Sequence, residues 1–204
     1  MLYYVHDPMC SWCWGFRPVW TEICKQLPPT AGIRYVLGGL APDTDAPMPE
    51  HMRNTIQATW QRIEREIPGT SFNHAFWSDC EPRRSTYPAC RAVIAARQQC
   101  NDADRSMLLA IQRAYYLHGR NPSNDAVLIS LAQDIGLNVE RFTGSLNSTE
   151  TRSRLSEELQ LRDRLGVSSF PELVLETGGE LHGIKLDYLH ASTVIAQLYA
   201  LLGP

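Results

Sequence analysis

The stretch DPMCSWCWGF, residues 7–16, decides how this chain is read. It sets Cys10 and Cys13 on a C-x-x-C spacing directly behind LYYVH at 2–6, a run aromatic and β-branched enough for a strand. Asp7-Pro8 ends that strand, because the residue before a proline is pushed out of the helical region. From Trp14 onward Phe16, Trp20, Ile23, Cys24 and Leu27 recur at three- and four-residue steps. That period predicts a helix with one buried face, closed by Pro28-Pro29. Cys13 therefore enters a helix and Cys10 stands at its mouth. IRYVLGG at 33–39 reads as a second strand, and so long a helical connection implies a parallel pair with a right-handed crossover.

At a helix mouth, unpaired N–H groups and the positive end of the macrodipole favour a thiolate over a thiol. Free cysteine titrates near ~8.5 and C-x-x-C thiols between about 3.5 and 7.5, so Cys10 is expected to be acidified and substantially ionised at neutral pH. Cys13, one turn further on, is spaced to attack a mixed disulfide on Cys10 and release the partner. Zinc competes for the same spacing but needs a second close pair of ligands. Cys80 and Cys90 are ten apart, and His6, His118 and His182 are isolated. A purely structural bridge is the other rival, and it closes so short a loop that it gains little chain entropy.

The rest of the composition bounds the reading. At 204 residues, 44% hydrophobic and 20% charged, the chain is ordinary globular material for one large domain or a domain with an insertion. A formal charge of −3, with Lys and Arg scattered among acids, offers no basic stripe, so no nucleic-acid partner is expected. No apolar run approaches the roughly 20 residues of a membrane span, so no membrane association is expected. MLYYVHDP has no signal-peptide pattern, and the expectation is a cytoplasmic protein. Six cysteines are too sparse for a disulfide scaffold, and in a reducing compartment a C-x-x-C is more often catalytic or metal-binding than stapled.

The middle of the chain changes period. PMPEHMRNTIQATWQRIEREI, STYPACRAVIAARQQC, ADRSMLLAIQRAYYLHG, SNDAVLISLAQDIG and TETRSRLSEELQLRDRLG all read as helices, with no convincing strand between them. Near the end FPELVLE and ELHGIK flank Thr177-Gly178-Gly179 as a hairpin, and DYLHASTVIAQLYALL closes as an amphipathic helix capped by Asp187. The ends are α/β and the middle is helical.

Strand, C-x-x-C at a helix mouth, strand, and a late strand entered through a proline together resemble the thioredoxin fold. The long helical interruption resembles the DsbA family, and the match runs over essentially the whole chain. DPMCSWCWGF, with CRAVIAA and LAQDIGLN in the insertion, is similar to the DsbA-like subgroup related to FrnE and to 2-hydroxychromene-2-carboxylate isomerases. In that subgroup a Cys-x-Trp-Cys motif follows an Asp-Pro turn. The resemblance implies an α/β thioredoxin-like domain at 1–42 plus 167–204, carrying an inserted helical domain at 43–166. It implies that Cys10 is an exposed nucleophile and Cys13 the buried resolving thiol. Pro171, in GVSSFPELVLE, falls where the family places a cis-proline beside the active site, with Phe170 offering backbone to an extended substrate; the residues alone read Pro171 as the start of an edge strand. Ser11 and Trp12, between the cysteines, complete the expected substrate-binding set, Trp12 as part of an exposed apolar rim and Trp14 as core.

Ser11-Trp12 contains neither proline nor histidine, so the strongly oxidising poise of the family's periplasmic members does not carry over. In the cytosol the dithiol is held mostly reduced, which favours reducing or isomerising disulfides of proteins or small molecules. No bound cofactor or metal is expected; glutathione or a thioredoxin system is the expected redox donor. Pro18 is expected to kink the first helix or to end its first turn. His6 reads either as an aid to Cys10 ionisation or as a strand-end side chain satisfied by backbone. Cys24 reads as core and Cys100 as exposed, while Cys80 and Cys90 are either a second redox pair or unrelated buried thiols. Arg83-Arg84 reads as surface charge or as a dock for an anionic cosubstrate such as glutathione. Two other functions stay in view: a glutathione-dependent isomerase, and a non-enzymatic module that binds client chains.

Overall fold

The computed structural model describes residues 1–28, 31–100 and 102–202. Its centre is a four-stranded sheet in the order β2-β1-β3-β4, built from β1 (Leu2–His6), β2 (Ile33–Leu37), β3 (Glu172–Thr177) and β4 (Glu180–Ile184). β1 and β2 are parallel, in register Tyr4 to Tyr35, and α1 (Ser11–Gln26) makes the crossover between them. β3 runs antiparallel to both β1 and β4. This is the thioredoxin-like arrangement with a helical insertion between β2 and β3.

Strand alternation sorts side chains to two faces. Leu2, Tyr4, Leu173 and Leu175 pack with Phe16, Trp20 and Ile23 of α1 and with Val194 and Leu198 of α9 (Ala191–Leu202). Val5, Val36 and Val174 turn the other way, onto Leu161 of α8 (Thr149–Arg164) and Val167. α8 is also tied to the sheet by charge: the buried Glu158 accepts from the Leu37 N–H at 3.2 Å and from Arg97 at 3.0 Å.

The insertion holds the largest apolar core. It comprises α2 (Glu50–Glu66), α3 (Phe76–Asp79), α4 (Tyr87–Arg97), α5 (Ala103–Tyr116), α6 (Asp125–Asp134), α7 (Val139–Leu146) and α8. α4 is its axis: every residue from Pro88 to Ala96 is buried. A helix buried on all sides must be surrounded, and α5, α6, α7 and α8 enclose it, with the buried Arg91 paired to Asp43.

Several elements differ from the sequence expectation. α3 and α7 were not legible: α3 is a single turn, and α7 offers only Phe142 and Leu146, one turn apart, as buried anchors. The last helix starts at Ala191, because the Asp187 carboxylate is used one turn earlier, accepting from the Leu189 and His190 N–H groups at 2.8 Å. α1 continues through Pro18 rather than ending a turn there. Pro28 follows its last turn as expected, and Pro29 lies outside the described residues.

Candidate active site

β1 ends at His6, and the next four residues form a turn organised by one buried carboxylate. Asp7 accepts from the Met9 N–H at 2.8 Å, the Leu40 N–H at 2.7 Å and the Thr86 hydroxyl at 2.7 Å, with the Cys90 thiol at 3.6 Å. A single side chain thus draws together the motif turn, the loop behind β2 and the start of α4. Burial pushes the Asp7 carboxyl up, and the hydrogen bonds from Leu40, Thr86 and Met9 pull the other way.

Cys10 follows as the N-cap of α1, with φ −82° and ψ 115°. Its Sγ accepts from the Cys13 N–H at 3.4 Å and donates to the Phe170 carbonyl at 3.3 Å. The Phe170–Pro171 bond is cis. All six cysteines are free thiols. The expectation of an exposed Cys10 is corrected: it is 6% exposed and Cys13 1%. Cys10 instead opens on a cavity of about 370 Å³ that Ser11, Trp12, Met52, Arg84 and Phe170 also line. Cys13 lies beneath, where burial first, and then the hydrogen bond and charge of Cys10, push its thiol well up. Pro171 adjoins Phe170 at the mouth of β3.

Trp12 is half-buried rather than exposed, its ring edge-on to Tyr188 at 5.2 Å with the Arg62 guanidinium 5.2 Å from its centroid. Trp14 is core and stacks on Tyr116. Ser11 is held by a buried bond across 49 residues, accepting from Trp60 Nε1 at 2.9 Å. Phe170 is seated by a glycine: its ring lies 2.3 Å from where a Cβ on Gly38 would stand, so only a residue without a side chain fits. Arg162 donates to the Gly38 carbonyl at 2.6 Å and pins that loop from α8.

His6 fits neither reading made from sequence. It is buried, stacked on Tyr4 at 5.1 Å, and its Nδ1 has no hydrogen-bond partner among the described residues. Burial, reinforced by the Arg97 charge, pushes it down to about 3, so at neutral pH it is uncharged and cannot help ionise Cys10. Cys80 and Cys90 are engaged separately, Cys80 donating to the Gly119 carbonyl at 3.0 Å and Cys90 facing Asp7. Cys24 is half-buried beside Tyr35, and Cys100 is exposed. Arg83 and Arg84 both line the Cys10 cavity. Asp7, Gly38, Trp60 and Thr86 had no functional signal in the sequence beyond the Asp-Pro pair, because each acts through a partner distant in the chain.

Among the described residues no cluster of three or more His, Cys, Asp or Glu side chains gathers as a metal site, and no helix is long and apolar enough to cross a membrane.

The family model described as Thioredoxin matches residues 3–197. A candidate protein disulfide isomerase from Nitrosomonas europaea superposes with a TM-score of 0.84 at 30% identity, covering 98% of this chain and 96% of that one. The cytosolic disulfide reductase DsbM from Pseudomonas aeruginosa, also solved with GSH, superposes with a TM-score of 0.78 at 28% identity, covering 98% of both chains. Among curated proteins, the ClpXP adapter protein SpxH of Bacillus subtilis is 24% identical over 99% of this chain. The chain spans 67% of that relative's length and 57% of its Halalkalibacterium halodurans counterpart.

Proposed function

The chain belongs to the thioredoxin family, and on that premise we propose that it is a thiol:disulfide oxidoreductase that passes two electrons through Cys10 and Cys13. The observation that carries this reading is the position of Cys10: its sulfur caps α1, accepts the Cys13 N–H, and opens on a cavity. In thiol–disulfide exchange the attacking species is a thiolate, and this position gives the Cys10 sulfur access to a substrate.

In the forward exchange the Cys10 thiolate attacks one sulfur of a substrate disulfide. The substrate S–S bond breaks, one substrate thiolate leaves and takes up a proton, and a mixed disulfide forms on Cys10. Cys13 then loses its proton and attacks the Cys10 sulfur, expelling the second substrate thiol and closing the Cys10–Cys13 bond. Two electrons pass from the protein to the substrate. The raised Cys13 thiol suits this order, because it stays protonated until the mixed disulfide exists. Cys10, Ser11, Trp12 and Phe170 form the substrate surface, with Pro171 setting the chain beside them.

The direction assigned is reduction or isomerisation, in the cytoplasm, of disulfide-containing proteins or small-molecule disulfides. A reducing compartment holds such a pair as the dithiol, and likeness to a cytosolic disulfide reductase supports the same direction. Glutathione or a thioredoxin-type system would return the electrons, with no bound cofactor. Graded glutathione buffers followed by thiol trapping and mass spectrometry test this: Cys10 and Cys13 should convert together as one two-electron couple. Independent conversion of the two sulfurs would overturn it.

A second reading is client binding without turnover, favoured by likeness along the chain to a ClpXP adapter. Cys10→Ser separates the two. It abolishes exchange under the first reading and leaves capture of a client protein intact under the second. The isomerase alternative is disfavoured by the presence of both thiols, since a lone activating group suffices there.

A further inference from the structure

Two arginines face the Cys10 cavity, and the structure gives them different work. Both terminal nitrogens of Arg83 are engaged, donating to Asp45 at 2.7 Å, to Asn124 at 2.7 Å and to the Ser123 carbonyl. It fastens the cavity wall to the α5–α6 loop. Arg84, half-buried beside it, makes no hydrogen bond or ion pair with any described residue. None of the residues lining the cavity is Asp or Glu. A guanidinium in a recess with no acid to answer it is a receptor for a carboxylate, which it can grip through two parallel N–H bonds. At about 370 Å³ the cavity sits at the small end of the ~300–1,000 Å³ range of small-molecule sites, too small for a folded partner. The remaining wall is mixed and uncharged: Met48, Met52, Ile56, Trp12 and Phe170 supply apolar surface, and Thr55, Thr59, Ser168 and Ser169 add hydroxyls.

We propose that Arg84 is the specificity residue of this cavity, and that the small thiol exchanged at Cys10 carries a carboxylate held by Arg84 while its sulfur lies at Cys10. The inference rests on the oxidoreductase reading. In the recovery half-cycle a first carboxylate-bearing thiolate attacks Cys10 of the oxidised pair, the Cys10–Cys13 bond breaks, and Cys13 leaves and takes up a proton. A second such thiolate attacks the sulfur of the bound thiol and displaces Cys10 as thiolate. The products are the protein dithiol and one small-molecule disulfide, and two electrons have moved from two thiols to the protein.

The test measures reduction of the oxidised full-length protein by stopped-flow tryptophan fluorescence, with glutathione and with uncharged 2-mercaptoethanol, in wild type, R84Q and R84K. Loss of one charge-assisted clamp is expected to lower the glutathione-to-mercaptoethanol rate ratio by about tenfold in R84Q. R84K should recover part of that loss, because the charge returns without the planar fork. Using the ratio removes any general effect of the substitution on fold or redox potential. A ratio unchanged in R84Q overturns the proposal. Failure of both thiols to reduce a linked Cys10–Cys13 disulfide in wild type would instead sink the oxidoreductase reading itself.

Discussion

The Cys10 thiol donates to the Phe170 carbonyl at 3.3 Å, joining residues 160 apart. Strand pairing delivers them to each other. β1 and β3 are antiparallel neighbours in register Val5 to Glu172, so the chain leaving β1 and the chain entering β3 lie at the same end of the sheet. Cys10 caps the helix that follows one, and Phe170 and Pro171 precede the other. The Cys10–Phe170 contact is thus a property of the sheet register, not of either loop alone.

That contact depends on Gly38, over which the Phe170 ring lies. Gly38→Ala puts a methyl carbon about where the ring stands, with 2.3 Å between them, and forces Phe170 to move. Overpacking of this kind costs about 1–3 kcal/mol, and displacement of the Phe170 carbonyl should also slow exchange at Cys10. Urea unfolding and disulfide exchange rates check both effects. Phe170→Leu in the same background removes the clashing ring atoms and lets the carbonyl return, so it should recover both stability and rate; recovery of neither would put the clash elsewhere.

Cys13→Ser removes the sulfur proposed to resolve the mixed disulfide and leaves Cys10 in place. Incubated with oxidised glutathione, the variant should accumulate a stable mixed disulfide on Cys10, visible as an adduct in intact mass spectra. The wild type should pass through that adduct to the internal disulfide. Equal adduct lifetimes in the two proteins would mean that Cys13 does not resolve.

How much of this was readable from the chain depends on distance along it. The Cys10/Cys13 spacing, the strand at 2–6, the crossover helix and the hairpin at 172–184 are local patterns, and each stands where periodicity and turn residues put it. The engagement of Asp7 by Thr86, 79 residues away, and of Ser11 by Trp60 carries no local signature. Exposure was misjudged for the same reason: Cys10 and Trp12 are covered by the insertion and by Tyr188, which no window around the motif contains.

The Ser11–Trp60 hydrogen bond ties the motif to α2. Ser11→Ala leaves the indole N–H of fully buried Trp60 without its partner, at a cost of about 1–3 kcal/mol. In a Trp60→Phe background, where no donor remains, the same Ser11→Ala change should cost markedly less. A double-mutant cycle by urea denaturation reads the coupling. Additive losses would show that the bond contributes nothing to stability.

His6 should set the acid limit of the fold. In the unfolded chain a histidine titrates near ~6.5, whereas buried His6 is pushed down to about 3, first by desolvation and then by the Arg97 charge. The folded pKa is depressed, so stability is full above about pH 6.5 and falls as pH drops toward 3, because the unfolded state takes up a proton that the folded state refuses. Between pH 6.5 and 5 the loss amounts to roughly 2 kcal/mol, at about 1.36 kcal/mol per pH unit. Asp7 works in the opposite sense: its raised carboxyl gains relative stability as pH falls, so the wild-type curve alone understates the histidine. His6→Phe keeps a ring to stack on Tyr4 and removes the proton, and the difference between variant and wild type isolates the effect. Urea unfolding at pH 7 and pH 5 should show the wild type losing about 2 kcal/mol more than the variant. Equal losses would mean that His6 takes up its proton in the folded state, and its buried, unpartnered Nδ1 would then need an acceptor or a path to water.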